Sequence, residues 1–237
     1  MSTLVGVKIG FIILTLLCLI GIDRIFFGSP LHHEQKKKYR LRYRLGIGVW
    51  LVALSVMSLS GFLSDYSALP PRMFIVLIVP LLVLILLLRS KSFNNYIKEI
   101  PAHKIIFLQV FRVPVEYFLW LLFTANITPV QMTFEGRNWD IVTGLLAPIV
   151  AYAIYKKPKL SRPLAFSFNL LGLLLLINIV TIAILSLPTP FRQFMNEPAN
   201  VAVSWFPIVF LPGILVPMAY YLHAISFKQL MARDKDS

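Results

Sequence analysis

The stretch Gln109–Asp140 reads QVFRVPVEYFLWLLF over 109–123, TANITPVQ over 124–131 and MTFEGRNWD over 132–140. Its first block is apolar enough to enter a lipid bilayer, yet it carries Gln109, Arg112 and Glu116. The offsets i, i+3 and i+7 put these three on one face of a helix. The last block gathers Glu135, Arg137, Asn138 and Asp140 into a short segment before the next apolar run. Arg112 and Asp or Glu residues at a helix centre each cost about 2.5–3.5 kcal/mol on insertion, and each Leu, Ile, Phe or Val returns about 0.3–0.6 kcal/mol. Hydropathy therefore leaves this block near balance, and its crossing has to be decided from the rest of the chain.

The chain of 237 residues is 58% hydrophobic, with a mean hydropathy of +0.77. A soluble domain of that size cannot hide so much apolar surface. Several runs reach the ~20 residues that a helix needs to cross the hydrocarbon, and no ~10-residue alternating segments suggest a transmembrane barrel. The expectation is an all-α polytopic membrane protein forming one integral-membrane domain over residues 1–237. Its seven transmembrane helices fall at about 4–27, 45–63, 73–88, 105–125, 139–155, 164–187 and 205–226. Proline and polar positions of spans one to three do not align with those of spans five to seven, so no internal repeat is expected. The first run has only Lys8 before its core and no small-residue cleavage site after it, so it reads as a retained helix rather than a signal peptide.

Seventeen of the 23 lysines and arginines fall after spans one, three and five or in the tail. Arg72, Arg137 and Arg192 fall on the other side, and Lys8, Arg24 and Arg112 lie within spans. The positive-inside bias then puts the N-terminus outside and the C-terminus in the cytoplasm, in a bacterial cytoplasmic membrane. If 105–125 did not cross, the basic segment Lys156, Lys157, Lys159 and Arg162 would move outside and the asymmetry would collapse. That argument retains the fourth span. Trp120, Trp139 and Trp205 come out at the outer ends of their spans, as interfacial anchors do. The net charge of +13 is accounted for by these basic segments, and nucleic acid is not an expected partner.

Small residues suggest close helix packing at Gly6 and Gly10 in span one and at Gly46, Gly48, Ser55, Ser58, Ser60 and Gly61 in span two. The span 73–88 has no polar residue, which places it on the lipid-facing periphery, whereas the polar face of 105–125 needs a central position. The segment 89–104 reads as a surface helix, with Phe93, Tyr96 and Ile97 dipping inward. Asp23 and Arg24 close span one and are explained by snorkelling.

Ionisable residues inside a membrane face a bundle interior or a water cavity. Arg112 and Glu116, four residues apart, can meet as an i, i+4 pair, and Pro114 between them frees a backbone carbonyl. Gly136 permits a positive φ, so the 135–140 block can fold back and set Glu135 and Arg137 above that face. Asp140 suits the positive end of span five as a cap. Asn178, in the middle of span six, is either interhelical glue or part of the site, and Asn169 reads as structural. The candidate polar site is thus Gln109, Arg112, Glu116, Glu135, Arg137, Asn138, Asp140 and Asn178.

Cys18 is the single cysteine, so no intrachain disulfide forms. His32, His33, His103 and His223 map towards the cytoplasmic face without metal-ligand spacing, so neither metal nor haem is assigned. Span seven has no lysine, which excludes a retinal Schiff base. No hydrolase or metalloprotease motif is present. Three functional classes remain: a binding or transport protein for a small solute or ion, an accessory subunit that binds a partner membrane protein through the same polar face, and a membrane-embedded enzyme. The first is the expected one.

Overall fold

A computed structural model describes residues 2–28, 33–68, 70–157 and 161–233, which are all-helical with no strands. His32 and Lys159, singled out above, and Lys235 of the basic tail lie outside the described residues. The helices are α1 (Ser2–Phe27), α2 (His33–Leu59), α3 (Phe74–Arg89), α4 (Lys91–Lys98), α5 (Ala102–Phe107), α6 (Arg112–Thr124), α7 (Ile141–Lys156), α8 (Ser161–Leu185) and α9 (Val216–Arg233). Among them, α1, α2, the α5–α6 rod and α8 are long and apolar enough to cross a membrane, and the bent pair α3–α4 raises the number from four to five. The 16-residue α7 is apolar but shorter.

Each boundary has a local cause. The α5–α6 rod passes through a 3-10 turn at Leu108–Phe111, and Pro114 then falls in the first turn of α6. A first-turn proline lacks only an N–H that would be unpaired in any case. The helical path tightens one turn before Pro114 rather than at it. Helix α3 stops at Ser90, which accepts a hydrogen bond from Phe93 N and caps α4. Asn94 Nδ2 bonds back to Leu88 O at 2.9 Å, and the chain turns by 84°. The last apolar run is not one α-helix from 205. A π-helical turn at Leu211–Leu215 leads into α9, which continues to Arg233, seven residues beyond the expected end.

Helix α9 is the hub. It packs against α3, α4, α5 and α8, while α7 packs against α5, α6 and α8, and α1 against α6. A helix enclosed by protein can carry His223, Ser226 and Gln229, because neighbouring side chains rather than lipid meet them. Gln229 Nε2 donates to Ile97 O and Ile100 O at 2.6 and 2.8 Å, closing the C-terminal end of α4. Ile97 of α4 is buried, and Tyr96 donates to Phe26 O, so this helix leans on protein through the face expected to dip inward.

As expected, α3 exposes much of its surface, including Ile78, Leu82 and Leu86. Helix α2 departs from expectation twice. The basic segment Lys36–Arg44 is helical rather than a loop, and Arg40 and Arg44 consequently share a face. Both reach Asp23 of α1: Arg44 donates through Nε and Nη2 at 3.0 Å each, and Arg40 donates through Nε at 3.0 Å. Asp23 is thus a clamp between α1 and α2, not a snorkelling end. Of the small residues of α2, Gly46 and Gly48 do not mediate packing as expected, since a Cβ at either would meet nothing within 4 Å, whereas Ser58 is buried. The hold of α2 on the bundle comes from Trp50 Nε1 on Gly213 O at 2.8 Å and Ser58 Oγ on Ser204 O at 2.6 Å. In α1, Gly10 lies against the Phe118 ring, whereas Gly6 faces open space. In the segment after α2, the Ser67 hydroxyl and amide and the Arg72 guanidinium hold the Asp65 carboxyl below the usual carboxylate range.

The Asp23 clamp makes a prediction. Asp23→Asn should speed amide hydrogen exchange in the first half of α2, over residues 37–48, and leave α8 unchanged. Unaltered protection of α2 would contradict the clamp.

Candidate functional site

Arg112 begins α6 and is 2% exposed, although it is the largest of the fully buried side chains. Its Nη1 donates to Asp140 Oδ1 at 2.8 Å and to Gly172 O at 3.2 Å. Its Nη2 lies 3.1 Å from His223 Nε2. A guanidinium only donates, so Nε2 accepts and the proton sits on Nδ1. His223 Nδ1–H then donates to Asn169 Oδ1 at 2.8 Å. Asn169 completes the chain by donating to Ala165 O and Ser226 Oγ. One network therefore joins α6, α7, α8 and α9.

The neighbouring carboxylate is held separately. Glu116, 1% exposed, accepts from Asn138 Nδ2, which is 2.6 Å from both carboxylate oxygens. The same Nδ2 lies 2.9 Å from Met132 O, and Asn138 Oδ1 accepts from the Asp140 amide at 3.1 Å. The 132–140 segment thus folds back on the bundle, as expected, but through Asn138 and Asp140. The i, i+4 pairing of Arg112 with Glu116 gives way to pairing with Asp140. Although Asp140 stands at the N-cap position of α7, its carboxylate makes no cap bond and goes to the guanidinium. An arginine near the start of α6 finds a carboxylate delivered from a loop more accessible than one on its own helix.

The remaining expected residues separate. Glu135 is exposed and accepts from Trp120 Nε1 at 2.6 Å. Arg137 lies over the Phe194 ring, 5.3 Å from its centroid. Asn178 is exposed and donates to Arg137 O at 2.9 Å. Glu135, Arg137 and Asn178 are therefore outside the buried network. Gln109 is buried but turns to Ala219 O at 3.4 Å. Gly136 is fixed by crowding rather than by a positive φ, since a Cβ there would fall 2.3 Å from Val130 O.

His223 and Asn169 were passed over in the sequence, the first as a residue near the helix end and the second as structural. Because α9 extends to Arg233, His223 lies well inside it. The spacing His223, Ser226, Gln229 on one helix face was the available signal. Gly172 is the enabling residue on α8: a Cβ there would approach His223 Cε1 to 2.7 Å and Thr143 Cγ2 to 2.8 Å.

An apolar cavity of about 190 Å³ abuts this network, with walls from α3, α6, α8 and the 211–216 segment. Glu116, Asp140 and Asn200 are its polar lining residues. Arg112 is not among them. No cluster of three metal-ligating side chains occurs among the described residues.

Residues 69–231 match the family described as a domain of unknown function, DUF8737. The chain belongs to the DUF8737 family. The matched region holds the whole network and the cavity, from α3 to α9, whereas α1 and α2 precede it. No curated protein and no solved structure matches the chain.

The close approach at Gly172 is testable. Gly172→Ala should destabilise the purified protein by about 1–3 kcal/mol, since an added methyl forces packed neighbours aside. Thermal unfolding in detergent measures it, and a midpoint equal to the wild type would contradict the placement of His223.

Proposed function

We propose that this DUF8737 protein is a seven-span membrane protein that binds, and by binding moves, a small solute at the cavity bordered by Glu116 and Asp140. The observation that carries the proposal is the asymmetry of that cavity. Two carboxylates face it while their one guanidinium is packed away behind them. A purely structural ion pair has no reason to leave a second carboxylate beside open volume, because burying it uncompensated costs several kcal/mol. Ligand cavities combine apolar walls with a few convergent polar groups in this way.

The seven spans of this proposal are α1, α2, α3, the α5–α6 rod, α7, α8 and the 211–233 segment. The 16 residues of α7 extend ~24 Å, short of the ~30 Å hydrocarbon core, which local thinning of the bilayer accommodates. The seventh crosses while enclosed by the others, which relieves it of the need for high hydropathy. The basic bias sets the N-terminus outside and the tail in the cytoplasm. In a variant with Cys18 replaced, a membrane-impermeant maleimide added from outside should label Ser67→Cys but not Lys37→Cys. The reverse pattern would overturn the orientation.

The accessory-subunit reading draws support from one observation, the dry packing of Arg112, which serves equally to lock helices in register. Glu116→Gln separates the two. It keeps the shape, and the cavity and bundle should survive. In cells that depend on the gene, the variant should accumulate to wild-type levels and fail to rescue. Full rescue by Glu116→Gln would end the solute-binding proposal.

A further inference from the structure

The polar groups lining the cavity are acceptors. Glu116 has four lone-pair sites and one amide group to fill them. Asp140 gives Oδ1 to Arg112, and its Oδ2 accepts no side-chain hydrogen bond among the described residues. Asn200 is 1% exposed, and its Nδ2 donates to Ala183 O at 3.2 Å, which fixes the orientation of the amide. Its Oδ1 has no partner among the described residues. A buried carbonyl oxygen left unpaired costs about 1–3 kcal/mol, so a cavity whose lining includes one is suited to a donor.

Charge points the same way. Arg112 makes its ion pair with Asp140, and His223 is neutral in the tautomer its bonds require, so Glu116 has no ion pair of its own among the described residues. Nothing along the cavity walls supplies one: the remaining lining is Leu119, Leu176, Ile179, Ala183 and similar apolar residues. An inorganic cation would satisfy the carboxylates but would gain nothing from those walls. A quaternary ammonium would satisfy charge and walls but leave Asn200 Oδ1 unpaired.

Resting on the solute-binding reading above, we infer that the cavity takes an organic cation with N–H donors, an alkylammonium type of molecule. Its ammonium group sits among Glu116, Asp140 Oδ2 and Asn200 Oδ1, and its apolar body lies along α8. The geometry explains why the one guanidinium of the site is kept off the cavity surface: a cation there would repel this ligand. It also explains why the walls are apolar, since they favour an ammonium that carries hydrocarbon over a hydrated ion.

The full chain, purified into phosphatidylcholine nanodiscs, can be titrated with radiolabelled hexylammonium. The expected result is saturable binding of one molecule per chain. Binding should weaken about tenfold or more in Glu116→Gln and several-fold in Asn200→Ala. Val180→Phe adds bulk to the cavity wall without replacing a polar group, and it should abolish binding even if Glu116→Gln proves unstable. Hexanoate and hexanol should not compete. Competition by hexanol or hexanoate at the same strength as hexylammonium would overturn the cation inference while leaving a solute-binding cavity. Displacement by sodium chloride at equal concentration would overturn it in favour of an inorganic cation. Absence of binding by every probe to the wild type would overturn both this inference and the solute-binding proposal.

Discussion

The bundle depends on the pairing of Arg112 with Asp140. A guanidinium that is 2% exposed needs a countercharge, because removing one partner of a buried pair leaves a charge whose desolvation is uncompensated; here both Nη atoms are met, and Nε has no partner among the described residues. Asp140 supplies the countercharge from the start of α7, Gly172 O and His223 supply two further acceptors, and Asn169 fixes the tautomer of His223. Four helices are thereby tied at one level. Their apolar surfaces, equally content against lipid, do not by themselves specify which neighbours they take.

Asn138 carries the second constraint. One amide holds Glu116 through its nitrogen and the Asp140 backbone through its oxygen, so the loop that delivers the countercharge also restrains the surplus carboxylate. Separation of the two carboxylates into one that is ion-paired and one that is held by an amide follows from this arrangement. The cavity beside them then has an acceptor-rich polar end in an apolar container, a combination that on the proposed reading selects a ligand by charge and by hydrocarbon content together. Membrane folds keep buried ionisable residues where they line a pathway or hold helices in register, and on the proposed reading the two uses divide between Glu116 and Arg112.

Apolar runs made the helices legible from sequence, because lipid leaves a compositional trace that survives any arrangement of the bundle. The positions of α1, α3, α6, α7 and α8 follow from that trace. Burial of Arg112 and Glu116 also followed, since polar residues within such runs have to be shielded by protein, whereas burial of Asn138 and Asp140 came from the loop's path. Partner choice was not legible. Helical spacing proposed Glu116 for Arg112, whereas the loop brought Asp140 closer, and loop paths leave no periodic signal. Glu135, Arg137 and Asn178 shared the block's polarity but found partners at the surface, and composition does not distinguish the two outcomes. His223, read within span 205–226 near its end, was left out of the site because its partners Arg112 and Asn169 lie on other helices and leave no local signal. Gly46 and Gly48 in α2 misled for the opposite reason: a glycine permits close packing but does not require it.

A double-mutant cycle on the purified protein tests the central claim most directly. Unfolding free energies of Arg112→Met, Asp140→Asn, Glu116→Gln and the two arginine-containing doubles give two coupling energies. The account predicts about 2–3 kcal/mol between Arg112 and Asp140, and below about 0.5 kcal/mol between Arg112 and Glu116. Stronger coupling of Arg112 to Glu116 than to Asp140 would contradict it.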